Sequence, residues 1–201
     1  FCDVCIRAHM RQRSFARTKE REDDGLPAVD APLQRISADH MISQKSTDGK
    51  LEHGVSFTIR DEFSGAGVCC ARKTRSLESN RIDLKQFVGR VGTTRPNIIC
   101  KSDAAREITG AVSSLGWLME PSLQNRFPHN AAHERWIGTL KSVFRASILQ
   151  SGFPEKIADW CSPYAAIALA IAQPCPIHPH EKDASGNVLP AFKHRLKWTC
   201  W

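Results

Sequence analysis

The sequence predicts an α/β fold in which a mixed β-sheet carries helices on its faces. Three segments near the start alternate apolar with polar residues and are separated by turn signals, which is typical of a β-meander. Two further short strands then alternate with helices, and that order favours parallel pairing. The 201 residues suffice for one domain with attached segments.

Each element is predicted from a local pattern. The first strand is expected where Ile36, Ala38 and Ile42 alternate with polar neighbours. Ser76 is a suitable N-cap for the first helix, whose apolar positions recur at helical spacing towards Gly89. The predicted strands are residues 33–43, 55–60, 67–73, 97–100 and 117–119, and the later helices are 104–115, 131–150 and 154–172, the last kinked or broken at Pro163.

Composition narrows the class of protein and of partner. An apolar fraction of 41% and a charged fraction of 24% are ordinary for a globular protein and exclude wholesale disorder. The longest uncharged apolar run, residues 164–172, is less than half the length of a membrane span, so no membrane partner is expected. The net charge of +7 favours a polyanionic partner.

The amino-acid composition changes along the chain, which suggests four parts. Residues 1–22 hold Cys2 and Cys5 at metal-ligand spacing and then a basic stretch. Residues 23–32, rich in acid, Gly and Pro, are typical of a linker. Residues 33–173 form the predicted core, and residues 174–201 are expected to be the tail of a longer polyprotein. The scarcity of paired cysteines favours a reducing, intracellular setting.

Three acidic residues stand where chemistry is plausible. Asp39 lies within an apolar strand, where burial of a carboxylate is costly unless something compensates it. Asp103 follows a strand, and ligand sites of α/β sheets form at the C-terminal ends of strands. Glu134 is in the first turn of the strongest helix. Such carboxylates suit Mg²⁺ or Mn²⁺, and two ions can clamp a phosphoryl displacement.

Structural interpretations of the same residues stay open on spacing alone. Asp103 could be the N-cap of a helix that begins at residue 104, and Glu134 could be an ordinary first-turn acid. Glu134 shares a helical stripe with Asn130, Lys141 and Arg145. The two cations of that stripe could hold phosphates or could form a solvated face.

Five segments, taken in order, resemble the motifs of a known family. They are CDVCIRAH at 2–9, ISAD at 36–39, DEFS at 61–64, KSD at 101–103 with Glu107, and PHNAAHER at 128–135. They resemble half of an HHCC zinc module, the first catalytic strand, an Asp-Asp-Tyr-Ser turn, and the segments around the second catalytic Asp and the catalytic Glu. The chain resembles the integrases of LTR retrotransposons, especially the copia type, within the retroviral-integrase-like DDE superfamily.

The resemblance implies an RNase H-like fold with a mixed five-stranded sheet flanked by helices. It also implies a polynucleotidyl transferase that processes DNA 3′ ends and joins them to target DNA. Asp39, Asp103 and Glu134 would ligate two Mg²⁺ or Mn²⁺ ions, with Asp39 as the bridge. The stripe of Asn130, Lys141 and Arg145 would face DNA. A homo-oligomer that acts in the nucleus or in a virus-like particle is expected.

Two features leave other functions open. Cys2 and Cys5 are half of a tetrahedral zinc site, so zinc is expected only with ligands from upstream of the chain or from elsewhere in it. Ala104 and Ala105 stand where the family has Asn-Gly. That departure favours a second hypothesis, an inactive or domesticated integrase-like domain that binds nucleic acid. A third hypothesis is an RNase H-like nuclease that cleaves without joining.

Overall fold

A five-stranded mixed sheet forms the centre of the fold. The computed structural model describes residues 29–42, 54–93, 97–121, 131–152, 158–173, 182 and 184–188. Its elements, in chain order, are β1 Arg35–Ile42, β2 Val55–Asp61, β3 Gly67–Arg72, α1 Leu77–Thr93, β4 Ile99–Ser102, α2 Arg106–Ser114, β5 Leu118–Pro121, α3 Ala131–Ser151 and α4 Ala158–Ala172.

The strand order is β3-β2-β1-β4-β5, which places β1 in the centre. The meander pairs β1 with β2 and β2 with β3 in antiparallel fashion. β4 joins the other side of β1 in parallel, and β5 joins β4 in parallel. The mixed five-stranded sheet predicted from the sequence is therefore confirmed. The C-terminal ends of β1 and β4 lie side by side at one edge of the sheet.

Two apolar cores lie on opposite faces of this sheet. Ile36 and Ala38 of β1 pack in the first core with residues of α1 and α2. Met41 lies three positions after Ala38 on β1, so its side chain points to the opposite face. It packs in the second core with residues of α3 and α4. Since side chains alternate along a strand, Ser37 and Asp39 share the second face with Met41. The helices thus cover both faces, as the sequence predicts.

The start of β1 differs from the prediction for a local reason. β1 begins at Arg35 and not at Leu33, because Leu33 adopts a left-handed conformation (φ 60°) in a turn. Leu33 is nonetheless buried, and its N–H donates to Asp61 Oδ1 at 3.0 Å. The other oxygen of Asp61 accepts hydrogen bonds from Ser64. The DEFS turn thus fixes the entry of the chain into the central strand.

Other element boundaries also move. β4 is Ile99–Ser102, so the predicted strand at 97–100 was two residues too early, and β5 starts at Leu118. α2 starts at Arg106 and not at residue 104. The expected N-cap of α1 is confirmed, since Ser79 N donates to Ser76 Oγ at 3.4 Å. α4 continues through Pro163, so it is not broken there.

Several sequence predictions fall beyond the described residues. These include the cysteine pair of the expected zinc module, the greater part of the linker and most of the tail. The division of the chain after residues 22, 32 and 173 therefore stays a prediction. Within the part of the chain that the structure describes, no helix is long and apolar enough to span a bilayer.

Gly67 at the start of β3 provides a test of the second core. A Cβ built on Gly67 would lie 2.5 Å from Trp136 Cζ2 and 2.9 Å from the carbonyl oxygen of Ile59. Gly67→Ala should therefore lower the free energy of unfolding by about 1–3 kcal/mol through overpacking. Urea unfolding followed by circular dichroism measures this change.

Gly138 in α3 is the matched control for this substitution. A Cβ there would meet no atom within 4 Å. Gly138→Ala should raise the free energy of unfolding by about 0.5–1 kcal/mol, since alanine favours a helix. If Gly67→Ala is as stable as the native chain, or is stabilised as Gly138→Ala is expected to be, the close packing of Trp136 against β3 is wrong.

Candidate active site

Two acidic side chains occupy the edge where parallel strands end together. Asp39 lies on β1 three residues before its last residue, Ile42. Asp103 follows directly after Ser102, the last residue of β4. Because β1 and β4 are parallel neighbours, both acids belong to the same edge of the sheet. Glu134, in the first turn of α3, approaches from the helix layer on the face that Asp39 shares.

The charges of Asp103 and Glu134 both reach Asp39. Burial raises the pKa of Asp39 to about 6 from its ordinary value of 3.8, and the negative charge of Asp103 adds to this rise. Glu134 raises the same pKa further, whereas the N–H of His40, at 2.7 Å from Asp39 Oδ1, and Lys141 lower it. The structure therefore brings the predicted acids from a strand, a strand end and a helix into one electrostatic neighbourhood.

The donor chemistry of this neighbourhood fits a hard divalent cation. Carboxylate oxygens are the ligands that Mg²⁺ and Mn²⁺ prefer, and a cation would offset the repulsion that raises the pKa of Asp39. Among the described residues, no three His, Cys, Asp or Glu side chains lie close enough together to hold a metal ion as they stand. The triad as a ligand set therefore stays a prediction.

The alternative role of Asp103 as a helix cap is wrong. The N-cap position of α2 is Ala105, and no side chain caps that helix. The side chain of Asp103 is exposed, and Ser102 Oγ donates to the carbonyl oxygen of Asp103 at 2.6 Å. Glu134 does stand in the first turn of α3, so a favourable interaction with the helix dipole remains compatible with its position.

Of the helical stripe formed by Asn130, Lys141 and Arg145, the structure describes only the two cations, and one of them lies near the acids. Lys141 is exposed on α3 and lies close enough to Asp39 to lower its pKa. Arg145 is exposed one turn later, and its Nε donates to the carbonyl oxygen of Lys141 at 3.3 Å. Asn130, Cys2 and Cys5 lie outside the described residues, so their predicted roles stay predictions.

A buried histidine next to Glu134 connects α3 to the sheet. His133 Nδ1 lies 2.9 Å from Ser37 Oγ on β1, and His133 Nε2 lies 3.1 Å from Thr58 Oγ1 on β2. Thr58 Oγ1 in turn donates to the carbonyl oxygen of Asp39 at 2.8 Å. Ser37 Oγ has a competing acceptor in the carbonyl oxygen of Arg60, but at 3.4 Å. Because the bond from Thr58 to Asp39 is the shorter of these two bonds to carbonyl oxygens, it uses the hydroxyl hydrogen of Thr58, and we assign the hydrogen of the neutral imidazole to Nε2.

The environment of His133 keeps its ring neutral. The side chain is only 1% exposed, and its ring packs against Trp136 with centroids 5.6 Å apart. Burial lowers the pKa of His133 to about 3, and the nearby positive charge of Arg60 contributes. A neutral ring has one donor and one acceptor, which matches the hydroxyl groups of Thr58 and Ser37 on either side of it.

The sequence analysis assigned His133 no role beyond its place in a motif. The signal was its position on the apolar face of α3, three, four and seven residues before Trp136, Ile137 and Leu140. A polar side chain on a buried face needs hydrogen-bonding partners. Its spacing predicts burial, but the partners come from β1 and β2 and are not readable from the helix.

Comparison with solved structures finds retroviral integrases. The HTLV-2 integrase catalytic core domain, solved in complex with magnesium in a trimeric form, has a TM-score of 0.55 at 15% identity, over 81% of this chain and 95% of that chain. The catalytic core of BIV integrase has a TM-score of 0.53 at 13% identity, over 82% and 95% of the two chains. A chain of the simian T-cell lymphotropic virus intasome, solved with the PP2A regulatory subunit B56 gamma, has a TM-score of 0.56 at 16% identity, over 93% and 66%. No protein-family model and no curated protein matches the chain.

The sheet order, the helix layers and these similarities define the fold class as a mixed five-stranded sheet with helices on both faces. More particularly, the chain has the RNase H-like fold of an integrase catalytic core, which confirms the fold predicted from the sequence. At identities of 13–16% the similarity establishes the fold alone. The role of the acidic site has to be argued from its residues.

Asp39→Asn tests the electrostatic description of the site. Because the pKa of Asp39 is raised to about 6, the folded protein binds a proton there more tightly than the unfolded chain. The contribution of Asp39 to stability is therefore present below its ordinary value of 3.8 and is lost as the pH rises through 6. In metal-free buffer at pH 7, Asp39→Asn should raise the free energy of unfolding by roughly 1–2 kcal/mol, and the gain should vanish near pH 4.

Thermal unfolding at both pH values in the presence of a chelator measures this difference. Asp30→Asn, at an exposed position before β1, is the control and should change the melting temperature little at either pH. An Asp39→Asn variant that is less stable than the native protein at pH 7 would contradict the repulsion described.

Proposed function

We propose that the chain is a retroelement integrase core, a polynucleotidyl transferase that processes DNA 3′ ends and transfers them to target DNA. The observation that carries the proposal is the position of Asp39, which is partly buried on the central strand of this fold and within reach of the charges of Asp103 and Glu134. A group of acidic side chains near the C-terminal ends of strands destabilises a protein in the absence of a cation, because the like charges repel each other. A site that maintains such a cluster is therefore a functional candidate.

Asp39, Asp103 and Glu134 are the residues that would hold two Mg²⁺ or Mn²⁺ ions. When bound, the ions supply Lewis acidity at the scissile phosphate. Support comes from the HTLV-2 integrase core, which was solved in complex with magnesium.

The remaining groups of the chain bind and orient the substrate. Lys141 and Arg145 are exposed on the side of α3 that continues from Glu134, where their charges can hold the phosphates that flank the reacting one. The carboxylate of Asp39 has to be unprotonated to bind a cation, so a pKa of about 6 keeps it available at neutral pH and not in acid.

The finer parts of the proposal rest on the sequence motifs. They are a copia-type origin, a zinc module at Cys2 and Cys5 completed by other ligands, contact of Asn130 with DNA, a homo-oligomer, and action in the nucleus or a virus-like particle. Integrase structures described as dimeric and trimeric support the oligomer.

A second candidate function is a catalytically silent domain that binds nucleic acid. It is favoured by the junction between β4 and α2, where Ala105 occupies the N-cap without a side-chain hydrogen bond. Ala104 and Ala105 replace the Asn-Gly of the family pattern, which changes the backbone choices next to Asp103. The two candidates differ in whether DNA chemistry depends on a metal ion and on the three acids.

An assay for cleavage and joining tests the leading proposal. Purified protein is incubated with a labelled DNA duplex and Mn²⁺ or Mg²⁺, and cleaved and joined products are separated on denaturing gels. Asp39→Asn, Asp103→Asn and Glu134→Gln should each reduce product formation by at least about 100-fold, since each removes a proposed ion ligand. Glu78→Gln on α1, an exposed acid paired with Arg81, is the control.

Three other outcomes are informative in this assay. Cleaved products without joined products would favour an RNase H-like nuclease. Binding of the duplex that weakens with salt but ignores Mg²⁺ and the three substitutions, without any products, would favour the silent domain. Undiminished product formation by Asp103→Asn or Glu134→Gln would contradict the triad.

A further inference from the structure

His133 is the residue through which the first turn of α3 is hydrogen-bonded to the centre of the sheet. Its ring bridges a hydroxyl group on β1 and a hydroxyl group on β2, with Ser37 on one side and Thr58 on the other. Because Ser37 and Thr58 are themselves buried, water does not compete for these hydrogen bonds. The bonds therefore fix where the helix begins relative to the strands.

The hydrogen-bonded path ends at the backbone of one proposed ion ligand. With the ring hydrogen assigned to Nε2, Ser37 Oγ donates to His133 Nδ1 and His133 Nε2 donates to Thr58 Oγ1. Thr58 Oγ1 donates to the carbonyl oxygen of Asp39. His133 is also the immediate chain neighbour of Glu134. His133 is thus connected to Glu134 by a peptide bond of its backbone, and to the backbone of Asp39 by two hydrogen bonds that begin at its side chain.

Apolar packing alone would leave the position of α3 along the strands less precisely determined. Trp136, Ile137 and Leu140 anchor α3 in the second core, and such contacts are not directional. Hydrogen bonds require donor and acceptor to be aligned, so a shift of α3 along β1 would break both bonds of the ring. The structure therefore contains a specific device that sets the separation of a helix from a strand.

We propose that His133 is a positioning residue, which sets the separation of the Glu134 and Asp39 carboxylates through Thr58 and thereby the affinity of the site for a divalent cation. This inference rests on the proposed function, because it concerns the same carboxylates. It assigns the histidine a role beyond filling space in the core. Groups that orient metal ligands typically change metal affinity by about 10–100-fold when they are removed.

Titration calorimetry with MgCl₂ at pH 7.5 on the full chain tests the inference. Thr58→Val keeps the shape of the side chain but removes the hydroxyl group, and Thr58→Ser keeps the hydroxyl group. His133→Leu removes both bonds of the ring. Thr58→Val and His133→Leu should weaken Mg²⁺ binding by about 10-fold or more, whereas Thr58→Ser should stay within about 3-fold of the native chain.

Ser142→Ala is the control for a general loss of stability. Ser142 is a buried residue of the same helix, and its hydroxyl group donates to the carbonyl oxygen of Gly138 at 3.1 Å, away from the strands. Urea unfolding of all variants identifies those that fold. If His133→Leu does not fold, the comparison of Thr58→Val with Thr58→Ser decides the question.

The outcomes separate this inference from the proposed function. No Mg²⁺ binding by the native chain would overturn the proposed function, and the inference with it. Native binding that is unchanged in Thr58→Val and His133→Leu would overturn the inference alone. Equal weakening in Ser142→Ala and Thr58→Val would also overturn it, because the effect would then follow stability and not the position of the helix.

Discussion

The carboxylate of Asp39 is the constraint on which the site depends. It is held partly buried on the central strand, and its pKa is raised to about 6 by this burial and, further, by the negative charges of Asp103 and Glu134. The side chain of Asp39 cannot turn to the other face of the sheet. β1 is paired on both sides, and its side-chain directions are fixed by the two cores. A divalent cation would convert this unfavourable arrangement into a favourable one, which links the stability of the domain to its proposed chemistry.

The two cores contribute to this arrangement in different ways. The first core, between the sheet and the pair α1 and α2, contains a large apolar cluster that holds β1 in place. The second core has a polar end, where His133 lies between Ser37 and Thr58. The polar groups at that end fix the position of α3 along the sheet. The apolar part of the core buries most of the side-chain surface and so contributes most of the hydrophobic stabilisation.

The sequence predicts the order and type of the elements, since these depend on local periodicity. It does not predict the left-handed turn at Leu33, because the side chain that stabilises it, Asp61, comes from another strand. The acids were found as candidates from their positions, but their proximity depends on the pairing of β1 with β4. The partners of His133 were not predictable, since they lie 75 and 96 residues away along the chain.

Anomalous scattering from crystals grown with Mn²⁺ tests the central claim most directly. Manganese replaces Mg²⁺ at oxygen-rich sites and can be located from its own signal. We predict anomalous peaks between the carboxylates of Asp39, Asp103 and Glu134, and their loss in Asp39→Asn crystals. Manganese bound elsewhere, or no peak at these acids in a well-ordered structure at neutral pH, would contradict the assignment of the acidic cluster as a metal centre.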